Sequence, residues 1–138
     1  MRRIRNMVRG FTLIEVLIVL AVIAALLAIV TPIALNAVAQ AKATQVASTM
    51  RNIRSAVESY VNIERPPTPS DLNLGTLVSK GYLSSTPTEF TLAIEGWDTT
   101  GLATVTITYT GPVDEEKLER IYSEISNKTL TFHIRKWW

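Results

Sequence analysis

An uninterrupted apolar run near the N-terminus constrains this chain more than any other feature. Residues 16–35 carry no charged side chain, and Glu15 stands directly before them. An α-helix rises about 1.5 Å per residue, so about 20 apolar residues make a helix of about 30 Å, which matches the hydrocarbon thickness of a bilayer. The run therefore predicts a membrane-spanning helix.

A short basic segment before the run predicts its orientation and its processing. Four arginines precede the junction of Gly10 with Phe11: Arg2, Arg3, Arg5 and Arg9. Positive flanks stay on the cytoplasmic side, so residues beyond the run are expected outside the cytoplasm. An ordinary secretory signal ends in a small-residue cleavage site, but here the run continues smoothly into residues 36–40, which still indicate helix. The plausible cut therefore lies before the run.

This junction resembles the type III signal segment of type IV pilins and pseudopilins. The residues that carry the resemblance are Gly10-Phe11-Thr12-Leu13-Ile14-Glu15 and the apolar run behind them. The resemblance implies that a prepilin peptidase reads Gly10, cuts before Phe11 and leaves Phe11 to be N-methylated. It also implies three regions: a leader peptide at 1–10, a transmembrane and filament-core helix at 11–35, and a periplasmic or extracellular pilin head at 36–138 that includes the amphipathic half of the long helix.

Glu15 is unusual because a carboxylate inside a membrane costs roughly 2.5–3.5 kcal/mol at the helix centre. Cleavage before Phe11 would create an α-amino group with an unperturbed pKa of about 8, about 6 Å from Glu15 if both lie on one helix. Glu15 of one subunit would then pair with the Phe11 amine of a neighbour and set the axial register, because a slip strands two charges in apolar surroundings. The alternative is an interfacial carboxylate in the first turn, where the helix dipole favours negative charge.

Pro32 lies inside the helix that the sequence predicts from Phe11 to about Val61. Its ring removes a backbone donor and clashes with the carbonyl of Ala28, so a kink or local opening is expected there. Many pilins have glycine upstream, where this chain has Ala24 and Ala25. Alanine is the best helix former, which opposes extensive melting before Pro32.

The second half of the long helix is predicted to be amphipathic. Beyond residue 35, apolar side chains recur every three or four positions, as one buried helical face requires: Val46, Met50, Ile53, Val57 and Tyr60 or Val61. Prolines at 66, 67 and 69 end the helix. Ser70 or Asp71 is predicted to cap a short helix that reaches Val78.

Further along the chain, the spacing between successive apolar residues changes from three or four positions to two. Alternation predicts strands at 90–95, 104–110 and 129–136, with a hairpin loop at 96–101 between the first two. A helix is predicted behind the acids at 114–116, with an apolar face at Leu118, Ile121, Tyr122 and Ile125. The predicted fold class is α+β, in which a long N-terminal helix, half transmembrane and half amphipathic, packs on a small antiparallel sheet as in the pilin fold.

No residue pattern predicts catalysis, a metal or a cofactor. The chain has no cysteine and a single histidine, His133, on the outward face of a predicted strand. It also lacks a glycine-rich phosphate loop. The acids Asp114, Glu115, Glu116 and Glu119 lack the spacing of a calcium loop and suit a helix start better. Without its four leader arginines the chain has 10 basic and 12 acidic residues, so its basic pI does not indicate nucleic acid.

Trp137 and Trp138 allow two interpretations. They could form a stacking platform for DNA or sugar, or they could cover the sheet or fill a subunit interface. The second is favoured because only Arg135 and Lys136 supply positive charge beside them.

The function predicted is a structural subunit of a type IV pilus or related filament, serving adhesion, motility or DNA uptake. Such a subunit sits in the inner membrane with a cytoplasmic N-terminus and polymerises through its N-terminal helix. The resemblance implies as partners other pilin subunits, the prepilin peptidase, an assembly platform with its ATPase, and the membrane; no residue supports a particular DNA or surface ligand. The alternatives are a type II secretion pseudopilin and a single-span membrane protein that binds a partner outside the cell without polymerising. A membrane-tethered enzyme is disfavoured.

Overall fold

The computed structural model describes residues 9–138. Arg2, Arg3 and Arg5, with most of the expected leader peptide at 1–10, lie outside the described residues. The described elements are helix α1 at Leu13–Glu64, a 3-10 turn at Pro69–Asp71, α2 at Leu74–Ser79, β1 at Phe90–Glu95, β2 at Leu102–Tyr109, α3 at Glu115–Ile121, β3 at Ile125–Ser126 and β4 at Thr129–Arg135. The predicted α+β class is confirmed, because a long N-terminal helix packs against a small antiparallel sheet.

The chain divides into two compact units, Met1–Ala37 and Val38–Trp138; we call the second unit the head. In the first unit, the apolar side chains of α1 are exposed along the whole run. Within the described residues, α1 is the one helix long and apolar enough to cross a membrane. Apolar side chains of this kind have a higher free energy in water than in lipid or against other apolar helices.

The sheet of the head has the strand order β1-β2-β4-β3, and every neighbouring pair is antiparallel. β2 and β4 pair along their lengths, from Leu102 opposite Arg135 to Thr108 opposite Thr129. Asn127 and Lys128 both have positive φ, 50° and 59°. Positive φ at both central residues is the geometry of a type I′ turn, which closes tight hairpins such as the one joining β3 to β4.

The core lies between one face of α1 and the inward side chains of the sheet. The predicted helical face is confirmed, since its members are all buried: Val46, Met50, Ile53, Val57, Tyr60 and Val61. They meet buried residues of β2 and β4, among them Val105, Ile107, Leu130 and Phe132. The strand alternation is confirmed as well, because every second residue of β2 and β4 points into this core.

The predicted short helix differs from the structure at its start. Residues 69–71 form a separate 3-10 turn, and the cap of α2 is Asn73, whose Oδ1 accepts from the Thr76 amide at 2.8 Å. The prediction that Ser70 or Asp71 caps this helix was therefore wrong. Asn caps a helix as well as Ser or Asp does, so the residue types alone did not locate the start.

The helix predicted behind residues 114–116 is shorter than its apolar spacing indicated. α3 ends at Ile121, and Ile125 lies in β3, where it pairs with Leu130. The prediction that Ile125 belongs to the helical face was wrong. A residue four positions after Ile121 fits a helical period, yet a strand can bury the same side chain from a different backbone.

Candidate assembly site at the start of the long helix

Two reciprocal hydrogen bonds define the first turn of α1. The Thr12 amide donates to Glu15 Oε2 at 3.0 Å, and the Glu15 amide donates to Thr12 Oγ1 at 3.3 Å. The first four amides of a helix lack partners within the helix, and this capping box satisfies two donors at once. α1 therefore begins at Leu13, and the prediction that Phe11 already belongs to the helix was wrong.

The capping box fixes where the Glu15 carboxylate points. A carboxylate can accept about four hydrogen bonds. Within residues 9–138, the Glu15 carboxylate accepts a single hydrogen bond, from the Thr12 amide to Oε2. Oε1 thus keeps its capacity to accept a further donor. Thr12 is the residue that the sequence reasoning missed, although Thr-x-x-Glu before an apolar run is the sequence pattern of a capping box.

The predicted processing and register residues lie together at this helix start. Gly10 is exposed, and the Phe11 side chain is 91% exposed. Glu15 lines a shallow apolar groove with Phe11 and three residues of α1: Val16, Val19 and Leu20. The Glu15 carboxylate therefore lies in otherwise apolar surroundings, near the exposed junction of Gly10 with Phe11.

Pro32 lies within α1, which stays helical on both sides of it. The ring removes the amide that would bond to the carbonyl of Ala28. One position earlier, Thr31 Oγ1 donates to the Leu27 carbonyl at 2.7 Å. A threonine hydroxyl bonded in this way often bends a helix. The kink at Pro32 stays a prediction.

The other polar candidates of the sequence have local partners. His133 is exposed and its Nδ1 lies 3.2 Å from Thr104 Oγ1. Asp114 caps α3 by accepting from the Lys117 amide at 3.2 Å, and this bond lowers the pKa of the Asp114 carboxyl. Among residues 9–138, no group of His, Cys, Asp or Glu is arranged to hold a metal ion.

Arg54 ties the α3–β3 region to α1. Its guanidinium donates to Glu58 Oε1 at 3.0 Å and to the Tyr122 hydroxyl at 2.9 Å, and it forms an ion pair with Glu124. It also lies over the Phe132 ring, 5.1 Å from the centroid. The bond to Glu58 is the main cause that raises the pKa of Arg54. Arg54 lies outside the predicted buried face of α1, and the sequence pattern gave no signal for these contacts.

The long N-terminal helix packed against a small four-stranded antiparallel sheet is a pilin-like α+β arrangement. The family model of the prokaryotic N-terminal methylation motif matches residues 5–31. The chain thus carries a type IV prepilin-like signal segment, which supports a type IV pilin-like or pseudopilin protein. No curated protein and no solved structure matches the chain.

Proposed function

We propose that the chain is a structural subunit of a type IV pilus or a related filament, processed after Gly10 and polymerised through α1. The observation that carries this proposal is the methylation motif at residues 5–31, which includes the exposed junction and Glu15. The role is structural rather than catalytic, as the motif suggests. Its partners are further subunits and the membrane machinery that matures and assembles them.

Cleavage would change the charge balance of the helix start. A cut between Gly10 and Phe11 removes the basic leader and leaves a protonated amine on Phe11. Within one subunit, Glu15 Oε2 can keep the Thr12 amide, while Oε1 accepts from the amine of a neighbouring copy. The capping box thereby orients the carboxylate before a neighbour arrives, which reduces the entropy lost on docking.

The exposed apolar side chains of α1 account for both anchoring and polymerisation. In the inner membrane they face lipid, and in a filament they would face the helices of other copies. Moving from lipid to helices exchanges one apolar environment for another, with close packing as the gain. The chain has no glycine-rich phosphate loop of its own, so the assembly platform and its ATPase would supply the work of extraction.

Two measurements on one preparation test the proposal. Filaments are sheared from cells that express the full chain, and the subunit they contain is analysed by mass spectrometry. The proposal expects a chain that begins with N-methylated Phe11, enriched in the sheared fraction. A membrane-bound chain that retains residues 1–10 and never enters that fraction would overturn it and favour the non-polymerising anchor. Processed protein that forms filaments only inside the periplasm would assign the chain to a secretion pseudopilus.

A further inference from the structure

A small polar pocket in the head is lined by α1 and by the turn that precedes β1. Its volume is about 180 Å³, and α1 contributes Lys42, Gln45 and Thr49 to its wall. The turn contributes Thr88 and Glu89. Sites for drug-sized ligands usually have volumes of about 300–1,000 Å³. The pocket therefore suits a small polar group rather than a whole cofactor or a peptide.

The wall of this pocket carries one cation and one anion. Lys42 is half-buried, with Nζ 5.7 Å from the centre of the Tyr109 ring, and Glu89 is exposed. Within the described part of the chain, neither side chain belongs to an ion pair within 4 Å. Lys128, whose carbonyl accepts from the Tyr109 amide, is instead paired with Glu115 at 3.6 Å. The charges that line the pocket thus sum to zero and suit a ligand that has both signs.

The backbone at Glu89 has an unusual conformation that presents the carboxylate. Its φ is 63°, a left-handed geometry that glycine adopts freely and other residues disfavour. The Thr110 amide and hydroxyl both donate to the Glu89 carbonyl, at 2.8 and 3.0 Å. The Tyr109 hydroxyl donates to Glu89 Oε2 at 2.9 Å, and a Cβ at Gly111 would lie 2.5 Å from that oxygen. Strain held by its surroundings in this way is common at ligand-binding sites.

Position along the chain relates the pocket to a membrane surface. Lys42 is the first charged residue after Glu15, and it follows Leu35, the end of the apolar run, by seven positions. Seven residues of helix rise about 10 Å, and the head-group layer beside the hydrocarbon is about 5–8 Å thick. A lysine side chain can extend its ammonium toward such an interface. Lys42 therefore lies within reach of lipid head groups when α1 spans a membrane.

We infer that this pocket binds the head group of phosphatidylethanolamine while the chain is in the membrane. That head group combines a phosphate with a primary ammonium. The phosphate accepts from Lys42 Nζ and the ammonium donates to Glu89 Oε1, and both hydrogen bonds are charge-assisted. A head group that has a phosphate alone leaves Glu89 without a partner. The inference rests on the proposed function in one respect, because it requires α1 to stay in a membrane before assembly.

Lipid retention by the full chain tests this assignment. The chain is placed in nanodiscs made of equal parts of phosphatidylethanolamine, phosphatidylglycerol and phosphatidylcholine with matched acyl chains. Native mass spectrometry then identifies the lipid that stays bound. Phosphatidylglycerol has no ammonium, and the quaternary ammonium of phosphatidylcholine has no N–H to donate. We expect phosphatidylethanolamine to be retained about tenfold over either, as one charge-assisted hydrogen bond provides.

Two substitutions in the pocket have different expected results. Glu89→Gln should abolish the preference among the lipids, because it removes the charge that the ammonium meets. Lys42→Gln should lower retention of all three lipids about tenfold, because each has a phosphate. The matched controls lie outside the pocket and should change nothing: Glu95→Gln alters an exposed carboxylate at the end of β1, and Lys136→Gln alters a half-buried lysine 6.0 Å from the centre of the Trp138 ring.

Several outcomes would overturn the inference. These are equal retention of the three lipids by the original chain, and a preference that survives both pocket substitutions. Equally tight retention of glycerophosphoethanolamine, which has the head group without acyl chains, would assign the pocket to a soluble zwitterion instead. Filaments with methylated Phe11, formed by a chain that shows no lipid preference, would reject the lipid site and leave the filament role intact. A chain that shows the preference but never enters filaments would support the site and reject the filament role.

Discussion

Replacing Glu15 with Ala tests two roles of this side chain, the capping bond seen in the structure and the proposed pairing with a neighbouring subunit. In the single chain Glu15 Oε2 accepts from the Thr12 amide, and in a filament Oε1 would accept from the Phe11 amine of a neighbour. Glu15→Ala removes both interactions. Thr12→Ala removes the hydroxyl that accepts from the Glu15 amide but leaves the carboxylate in place. The two variants together isolate the contribution of the charge.

The expected magnitudes differ enough to be measured. Loss of an N-cap hydroxyl costs about 1 kcal/mol, and since about 1.4 kcal/mol is a factor of ten, Thr12→Ala should weaken assembly about fivefold. Removal of one member of a buried ion pair costs about 3–5 kcal/mol, because the other charge stays buried without a partner. Glu15→Ala should therefore weaken assembly more than a hundredfold, by the same conversion.

The assay compares sheared filaments with processed subunit in the membrane of the same cells. Glu15→Ala should leave membrane insertion unchanged, because removal of an intramembrane charge lowers the insertion cost. The filament fraction should fall below detection, while Thr12→Ala cells retain filaments. Equal filament yields from the Glu15→Ala chain and the original chain would refute the register role. An equal loss in both variants would mean that the helix cap, rather than the charge, controls assembly.

Three further predictions concern the head and the processing step. Gly111→Ala places a methyl group on the hydroxyl of a neighbouring tyrosine. Overpacking of this kind costs about 1–3 kcal/mol, so the thermal midpoint in detergent should fall by about 5–20 °C. The control Gly96→Ala, whose methyl group meets no atom within 4 Å, should leave the midpoint unchanged. The hydrogen bond from the Thr100 hydroxyl lowers the pKa of Asp98 below 3.8. The ionised Asp98 therefore contributes to folding stability above about pH 4, and this contribution is lost as the pH falls through the lowered pKa. Thermal midpoints measured against pH should fall less steeply in acid for Asp98→Asn than for the original chain, and identical profiles would contradict this. Gly10→Phe should block processing, which gel mobility and mass spectrometry would detect as a longer membrane species, and a mature chain of normal mass would contradict the role of Gly10.

The sequence predicted most of the fold because its two apolar periods are long and regular. The buried face of α1 from Val46 to Val61 and the alternation of buried residues in β2 and β4 could be predicted from the spacing of apolar residues alone. Short elements were predicted less well. Asn73 rather than Ser70 or Asp71 caps α2, and the sequence did not distinguish them because all three residue types suit that role.

The residues of the candidate site were also predicted only in part. Gly10, Phe11 and Glu15 are recognisable from the chain alone, since an isolated carboxylate before an apolar run has few ordinary explanations. The partner of that carboxylate within the chain, Thr12, was visible as a capping-box pattern but was not predicted. Arg65, which lies over the Trp137 ring, is the residue that follows α1, so sequence distance concealed this contact.

A membrane-length helix and an α+β head could be predicted from the sequence alone, because both follow from composition and periodicity over neighbouring residues, and the prepilin-like signal segment was recognisable by its resemblance to type IV pilins. The tertiary structure was needed to show that Arg54 joins α1 to Tyr122 and Glu124, and that Arg65 lies over the Trp137 ring. Such contacts depend on how strands and helices pack across more than sixty residues of chain, and the strength of a charge depends on which other charges the fold brings near it.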